Sequence, residues 1–334
     1  MNEAVPPSIS IVVPVFNERE SLPELYRRVT AVATQLRLSY ELILVNDGST
    51  DGSWDVIRSV ALADTRVKAI GLSRNFGHQP AMLAGLRAAT GAAVVTMDAD
   101  LQDPPEVIPD LYEKFVAGYD VVFAQRTARE GETLWKRGTA SAFYRLMRKT
   151  TRLNMPLDAG DFRLISRRVA GHLCSLPERH PFVRGLVTWV GYRQIGVPYT
   201  RNARYKGHTK FSNQKMISFA LDGITSFSSR PLRLASLAGL SFALASLALM
   251  VALVVYKLSG GTRLVAGWTS LSVAVLFLGG VNLMAIGLLG EYIGRIYDQV
   301  QERPLYLIGE QINLSEPVAA ARIASPDERG MGAQ

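Results

Sequence analysis

The sequence predicts an α/β protein on a mostly parallel sheet, followed by a two-helix membrane hairpin. Two observations carry that reading. Strand-like and helix-like segments alternate through the first 125 residues, and two later runs of 23 and 27 residues contain no charge. Alternation of this kind implies βαβ units with helices covering the sheet. Each uncharged run exceeds the roughly 20 residues needed to cross a bilayer.

The first strand is ISIVVPV (Ile9–Val15), and a helix follows over 21–36, opened by Ser21 and Glu24 in capping-box spacing. ELILVN (41–46) is the second strand, with a helix near 53–64. VKAIGL (67–72) is the third, with a helix around 79–90. AAVVTM (92–97) is the fourth; a helix starts after Pro104-Pro105, and DVVFAQ (120–125) closes the series. Polar residues gather just beyond the strand ends: Asn17-Glu18, Asn46-Asp47, Ser73-Arg74 and Asp98-Ala99-Asp100. In open α/β sheets ligands bind outside the carboxyl ends of the strands, so this edge is the expected site.

The uncharged runs lie at 234–256 and 264–290, joined by a connection short enough only for a hairpin. Lys215, Arg230, Arg233, Arg295 and Arg303 flank its outer ends, while Lys257 and Arg263 sit in the connection. That balance, with an N-terminus MNEAVPPSIS unlike a signal peptide, places the catalytic part and both termini in the cytoplasm of a multi-pass inner-membrane protein. The expected organisation is a catalytic domain over 1–211, an amphipathic segment over 212–230, the hairpin over 231–291, and a C-terminal segment over 292–334, disordered from about 315. In the amphipathic segment Met216, Ile217, Ala220, Leu221, Ile224 and Phe227 recur at helical spacing. Such a helix either lies at the membrane interface or packs on the catalytic domain.

Lys and Arg number 37 against 29 Asp and Glu, a formal charge of +8. Positive charge is concentrated in two stretches. Residues 126–152 hold eight basic and two acidic side chains, and 201–215 hold five basic and none acidic. A negatively charged partner is implied, an anionic membrane or a nucleic acid. The stretches adjoin the membrane segments and lack the interleaved aromatics of a strand-binding platform, which argues against nucleic acid. The single cysteine, Cys174, excludes an intramolecular disulfide and a cysteine-based zinc cluster. It reads as a buried structural thiol. The four histidines show no metal spacing. No G-x-G-x-x-G follows the first strand, as an oxidoreductase of the dinucleotide type requires, and no P-loop is present.

The stretch VVTMDADLQDPPE places Asp98, Asp100 and Asp103 directly after an apolar run. In an extended conformation Asp98 and Asp100 point to one side, and their oxygens can converge on a hard cation. Mg²⁺ or Mn²⁺ fits, since Mg²⁺ takes one or two carboxylates plus substrate phosphates. Gln102 can add another oxygen.

IVVPVFNERESL, LVNDGSTDGS, LSRNFGHQPAMLAGL, MDADLQDPPE, DAGDFRLISR and YKGHTKFS occur in this order, ahead of GEYIGRIYDQVQERPLY. This series, over roughly residues 8–312, resembles family 2 glycosyltransferases acting on polyprenyl phosphates, above all bactoprenol glucosyltransferases. Aminoarabinose transferases and dolichyl-phosphate mannose synthases are near relatives. The resemblance implies a GT-A fold, a UDP-sugar donor with glucose the expected sugar, a divalent metal, a polyprenyl-phosphate acceptor and a tetrameric assembly. It sets Pro14, Phe16 and Glu18 against the nucleotide, with Arg74 nearby. Asp47 either accepts from the imide N–H of the base or caps the GSTDGS turn. Asp98 and Asp100 bracket metal and diphosphate, with Gln102 a further ligand. Asp161 matches the family's catalytic carboxylate, and Asp158 beside it holds the loop. FGHQPA departs from the FGKEAA of many relatives and leaves His78 and Gln79 without an assigned role.

A phosphate monoester is largely dianionic at neutral pH, having a second pKa near 6. Asp161 therefore need only orient the acceptor or remove a residual proton, in one displacement that inverts the anomeric carbon. Arg126, Arg129 and Arg137 on one side, and Arg201, Arg204, Lys206 and Lys210 on the other, are the expected phosphate ligands. The same charge also suits the anionic lipid surface. A processive polysaccharide synthase would carry Q-x-x-R-W and usually more spans. In an inactive scaffold Asp98, Asp100 or Asp161 is expected to be lost, and all three stand.

Overall fold

Four short apolar runs, β1 (Ile9–Val15), β2 (Tyr40–Asn46), β3 (Val67–Leu72) and β4 (Ala93–Thr96), form the centre of the sheet, and all their residues but Lys68 are buried. Burial on both faces is what parallel strands covered by helices require. The computed structural model describes residues 8–127, 159–179, 181–201 and 268–314, with scattered positions between 237 and 259. β5 (Val121–Arg126), β6 (Ala159–Ser166), β7 (Gln194–Tyr199) and β8 (Ile308–Ile312) complete an eight-stranded sheet of order β7-β5-β6-β4-β1-β2-β3-β8.

The helices are α1 (Leu22–Gln35), α2 (Ser53–Ala63), α3 (His78–Ala88), α4 (Ile108–Val116), α5 (Arg167–Ser175), α6 (Val183–Trp189) and α7 (Trp268–Val300), with a 3₁₀ turn over Pro105–Val107. The alternation through β5 thus follows the sequence reading closely. The capping box does not form. The Ser21 hydroxyl donates to the Glu18 backbone carbonyl and to Glu18 Oε2, while Glu24 pairs with Arg27.

Strand direction decides what the sheet presents. β1 pairs parallel with β2 and β4, β2 with β3, and β5 with β7; β6 runs antiparallel between β4 and β5, and β8 antiparallel to β3. The carboxyl ends of β1–β5 and β7 therefore share one edge with the starts of β6 and β8. β1 stands between β2 and β4, so the winding reverses there and opens the crevice in which such sheets hold ligands.

The opposite edge carries a buried polar network. Glu41 Oε1 accepts from the Ser10 hydroxyl (2.5 Å), Thr90 N (2.7 Å) and the Thr90 hydroxyl (3.0 Å), and Oε2 pairs with Lys68. Burial pushes the Glu41 carboxyl up, but Lys68, Ser10 and Thr90 outweigh it and hold the carboxyl below its ordinary value. The Cys174 thiol is half-buried and pushed by burial up to about 11, as suits a structural cysteine.

The chain divides into two compact units, Met1–Ile217 with Glu302–Gln334, and Ser218–Gln301. The second contains α7, a 33-residue helix. Within it Phe277–Val300 is long and apolar enough to cross a membrane, the one such helix among the described residues. Leu283, Met284, Ile286, Ile293, Ile296 and Val300 are exposed along it. The second expected span, 264–290, falls largely on this helix, which runs ten residues further. The first, 234–256, lies mostly outside the described residues, as do the amphipathic segment and the tail from 315.

After α7 the chain returns to the first unit. Tyr306 is fully buried, Ser73 N donates to the Leu307 carbonyl (2.9 Å), and β8 pairs with β3. Asn313 Nδ2 donates to the carbonyls of Ala61 (2.6 Å) and Val67 (2.9 Å), and Trp54 Nε1 to Glu310 Oε2 (3.2 Å).

Candidate active site

The loops after β1 and β2 are laced together. Asn17, at a φ of 55°, donates its N–H to Ser49 Oγ (3.0 Å) and accepts from Thr50 N (2.8 Å). Glu18 N donates to Ser53 Oγ (3.0 Å), and Arg19 N to Asp51 Oδ2 (3.1 Å). Pro14 is buried beneath these loops, Glu18 is half-buried, and Phe16 is exposed at the edge.

Asp47 anchors a neighbouring loop rather than capping the turn that follows it. It is buried and accepts from Phe76 N (2.7 Å) and Gly77 N (3.0 Å), anchoring the 74–77 loop after β3. Asn46 Oδ1, accepting from Ser49 N, closes the following turn instead. Burial raises the Asp47 carboxyl against the pull of those two N–H groups. Arg74 lies over the Phe76 ring, 4.0 Å from its centre. Gly48, at a φ of +66°, lets this loop approach; a Cβ there would stand 2.4 Å from Asn75 N and 2.5 Å from the Arg74 carbonyl carbon. Gly48→Ala is therefore expected to lower stability by about 1–3 kcal/mol. Thermal unfolding measures the effect.

The aspartate stretch departs from the extended geometry read from sequence. β4 ends at Thr96, and residues 99–103 form turns and bends in which Leu101, buried, has a φ of 57°. A left-handed conformation for such a residue is costly and is held only by its surroundings. The turn begins at Ala99, between Asp98 and Asp100. Asp100, buried, accepts from Gln102 N (3.1 Å), which tightens the turn; Asp98 is one-third exposed.

β6 brings Asp161 to the same edge, where its carbonyl accepts from the Thr96 hydroxyl (2.6 Å). Three cationic groups surround its carboxylate: Arg184 (3.1 Å), His78 (3.6 Å) and Arg163 (3.6 Å). His78 Nε2 also stands 3.6 Å from Asp98 Oδ1 and so bridges the two carboxylates. Burial pushes Asp161 up, but Arg184, His78 and Arg163 hold it well below the usual carboxylate range. Such a group is a poor proton acceptor; its strength is in orienting cations. Burial would lower His78, yet Asp161 and Asp98 lift it to about 9. For Asp98, burial, opposed by His78 and reinforced by Asp161, Asp103 and Asp100, raises the carboxyl to about 6.

A second cluster closes the edge at β5 and β7. The Tyr199 hydroxyl donates to buried Asp103, Arg126 Nε donates to the Tyr199 oxygen (3.3 Å), and Arg201 Nε lies 3.3 Å from Asp103. Arg126 and Arg201 thus converge, though on an aspartate. Arg129, Arg137, Arg204, Lys206, Lys210 and Asp158 lie outside the described residues.

Residues 10–174 match the glycosyl transferase family 2 domain. An uncharacterized glycosyltransferase of Bacillus subtilis (strain 168), YkcC, is 48% identical over 299 residues, covering 90% of this chain and 92% of that protein. The chain belongs to glycosyl transferase family 2. The SfII prophage-derived bactoprenol glucosyl transferase of Shigella flexneri is 45% identical over 300 residues, 90% of this chain and 97% of that protein. The prophage bactoprenol glucosyl transferase homolog of Escherichia coli (strain K12) is 43% identical over 300 residues, 90% and 98%. The chain is a glycosyltransferase with a GT-A-like, mostly parallel mixed sheet.

Within this glycosyltransferase the sequence reading left His78 and Gln79 unassigned and did not single out Arg163 or Arg184. The signal was present in weak form: Arg184 interrupts the apolar FVRGLV, whose Phe182, Val183, Leu186 and Val187 are all buried. An arginine there has few places to go except a polar site.

Proposed function

We propose that this glycosyltransferase moves a hexose, glucose from UDP-glucose, onto a polyprenyl phosphate at the cytoplasmic membrane face, with inversion. The product would be a polyprenyl-phosphate-linked monosaccharide for cell-envelope glycans. The observation that carries the reading is the single sheet edge at which Asp98, Asp100 and Asp161 meet His78, Arg163 and Arg184. An edge of alternating sign suits two phosphate-bearing reactants held close together. Relatives aligned over 90% of the chain are named bactoprenol glucosyl transferases, which supports glucose as the sugar and a polyprenyl acceptor.

Asp98, Asp100 and Gln102 fit a hard divalent cation, Mg²⁺ or Mn²⁺. Asp98 is lifted to about 6 partly by its neighbouring carboxylates, a crowding that a cation relieves. Among the described residues no three His, Cys, Asp or Glu side chains are grouped to hold a metal ion by themselves, so an ion here would need substrate phosphates to complete its ligands. When bound, the metal supplies charge neutralisation of the departing diphosphate.

The chain's own residues do the rest. The laced loops after β1 and β2 form the nucleotide shelf beside Pro14, Phe16 and Glu18, and Asp47 fixes the Arg74 loop against it. Asp161 holds its cations toward an acceptor that arrives already ionised. Residues 1–211 serve as the catalytic domain and 212–230 as its interfacial segment; 234–256 joins α7 in a two-helix hairpin with both termini cytoplasmic, in a homo-oligomer.

The test is a panel of nucleotide sugars incubated with purified protein and undecaprenyl phosphate, reading the mass of the extracted lipid. A chloroform-soluble lipid one hexose heavier is expected with UDP-glucose. Polymer, or no glycolipid with any donor, would discard the reading.

A further inference from the structure

We propose that Asp103 is a positioning residue for the acceptor's phosphate: it holds Arg126 and Arg201 as a pair on the sheet edge beyond Asp161. The inference rests on the lipid-phosphate transfer proposed above. Asp103 is 1% exposed, and a buried carboxylate persists only when it is paired or hydrogen-bonded. Its Oδ1 accepts from the Tyr199 hydroxyl and stands 3.3 Å from Arg201 Nε. Tyr199 has a single hydroxyl proton. Giving it to Asp103 leaves the oxygen lone pairs to Arg126 Nε, 3.3 Å away. One carboxylate thereby orients two guanidinium groups, Arg201 directly and Arg126 through a hydroxyl that it polarises. The Tyr199 ring is fixed in turn, edge-on to buried Phe162 with ring centres 5.9 Å apart.

The order of strands says what the pair is for. Across the edge it runs β7-β5-β6-β4-β1-β2-β3. The laced nucleotide loops follow β1 and β2, Asp98 and Asp100 follow β4, and Asp161 lies near the start of β6. Arg126 ends β5 and Arg201 follows β7, so both lie across β6 from Asp98 and Asp100. A Cβ on Gly160 would meet Arg126 Nη2 at 2.8 Å, which sets this guanidinium against β6 one residue from Asp161. Both arginines are half-buried, with the Arg201 side chain 25% exposed. Two oriented guanidinium groups that solvent still reaches suit the oxygens of a phosphate. Asp103 also closes the run of turns and bends that carries Asp100 and Gln102. One buried side chain thus ties the aspartate turn to the arginine pair.

A phosphate here has two sources, the monoester of the polyprenyl acceptor or the diphosphate of the donor, and the strand order favours the acceptor. The experiment separates them using full-length protein in detergent, comparing wild type, Asp103→Asn, Arg201→Gln and the double variant. It measures KM for undecaprenyl phosphate, kcat, the Kd of UDP in the presence of Mn²⁺, and the unfolding temperature. Asparagine is chosen because both contacts of Asp103 fall on Oδ1, while Oδ2 has no hydrogen-bond partner among the described residues. The amide keeps an oxygen for Tyr199 and removes the charge.

Asp103→Asn is expected to raise the acceptor KM about 10-fold, the loss of a charge-assisted contact, with the Kd of UDP unchanged within about twofold. In the double variant the rise should fall short of the product of the two single effects by about threefold or more, since the two residues act as a unit. A full product would show that Asp103 does not act through Arg201, and overturn the assignment. Weakened UDP binding with an unchanged acceptor KM would move its role to the donor and overturn it equally. So would a lower unfolding temperature with wild-type KM and kcat, which marks a structural lock alone. If Asp103→Asn does not fold, Tyr199→Phe decides: a rise in acceptor KM of about threefold to tenfold is expected from the lost hydroxyl, and an unchanged KM overturns. Failure of wild type to make any glycolipid would remove the proposed function and this inference with it, an outcome distinct from the others.

Discussion

Asp98→Asn and Asp100→Asn are each expected to lower sugar transfer by about 10²–10³-fold, the usual cost of removing a group that stabilises transition-state charge. Asparagine keeps side-chain size, and at position 100 it keeps an oxygen for the Gln102 N–H, so the turn survives. What it removes is charge. In wild type, Mn²⁺ with UDP should raise the unfolding temperature, since a ligand at a hundred times its Kd contributes about 2.7 kcal/mol. Neither variant should show that rise. Asp98→Asn should also unfold at a higher temperature than wild type without metal, because the carboxylate it replaces is crowded by Asp161, Asp103 and Asp100. A variant with wild-type turnover and a wild-type response to Mn²⁺ would dispose of the metal assignment.

The second large effect concerns stability alone. Glu41→Ala leaves Lys68, whose side chain is 13% exposed, as an uncompensated cation and strands the donors of Ser10 and Thr90. Breaking such a pair costs about 3–5 kcal/mol, and the unfolding midpoint should fall by about 10 °C. The pH dependence has a definite sign. The folded carboxyl titrates below its ordinary 4.5, so its contribution is complete above that value and is lost as pH falls through the folded one. Wild type should therefore lose stability on acidification more steeply than Glu41→Gln. Parallel acid limbs for the two proteins would show that the network contributes nothing through ionisation.

β1 through β5 could be read from the chain because strands buried wholly, or in β5 mostly, are largely apolar runs, and turn residues bound each one. β6 hides that signal: AGDFRLIS places Asp161 and Arg163 inside a strand whose charges answer one another. β8 is a five-residue edge strand, IGEQI, half of it open to solvent, so neither length nor apolar pattern marks it. In the site, Asp98, Asp100 and Asp161 were visible as a spacing and a likeness, but their turn geometry was not. An extended reading put Asp98 and Asp100 on one side, whereas a turn begins at Ala99 between them. For Asp47 the bonds from Phe76 N and Gly77 N could not be read locally, because those partners lie 29 and 30 residues away. His78 and Arg184 acquire meaning only when β6 and α6 arrive beside α3, a consequence of tertiary packing that no local pattern encodes.

The strand that covers the edge of β3 comes from residues that follow α7. During synthesis the catalytic half must therefore wait, its outer flank bare, until the long apolar helix has left the ribosome. A fragment cut before residue 301 to gain solubility would keep that flank open for good, and unpaired strand margins invite self-association. Getting rid of the greasy segment would thus trade one kind of stickiness for another.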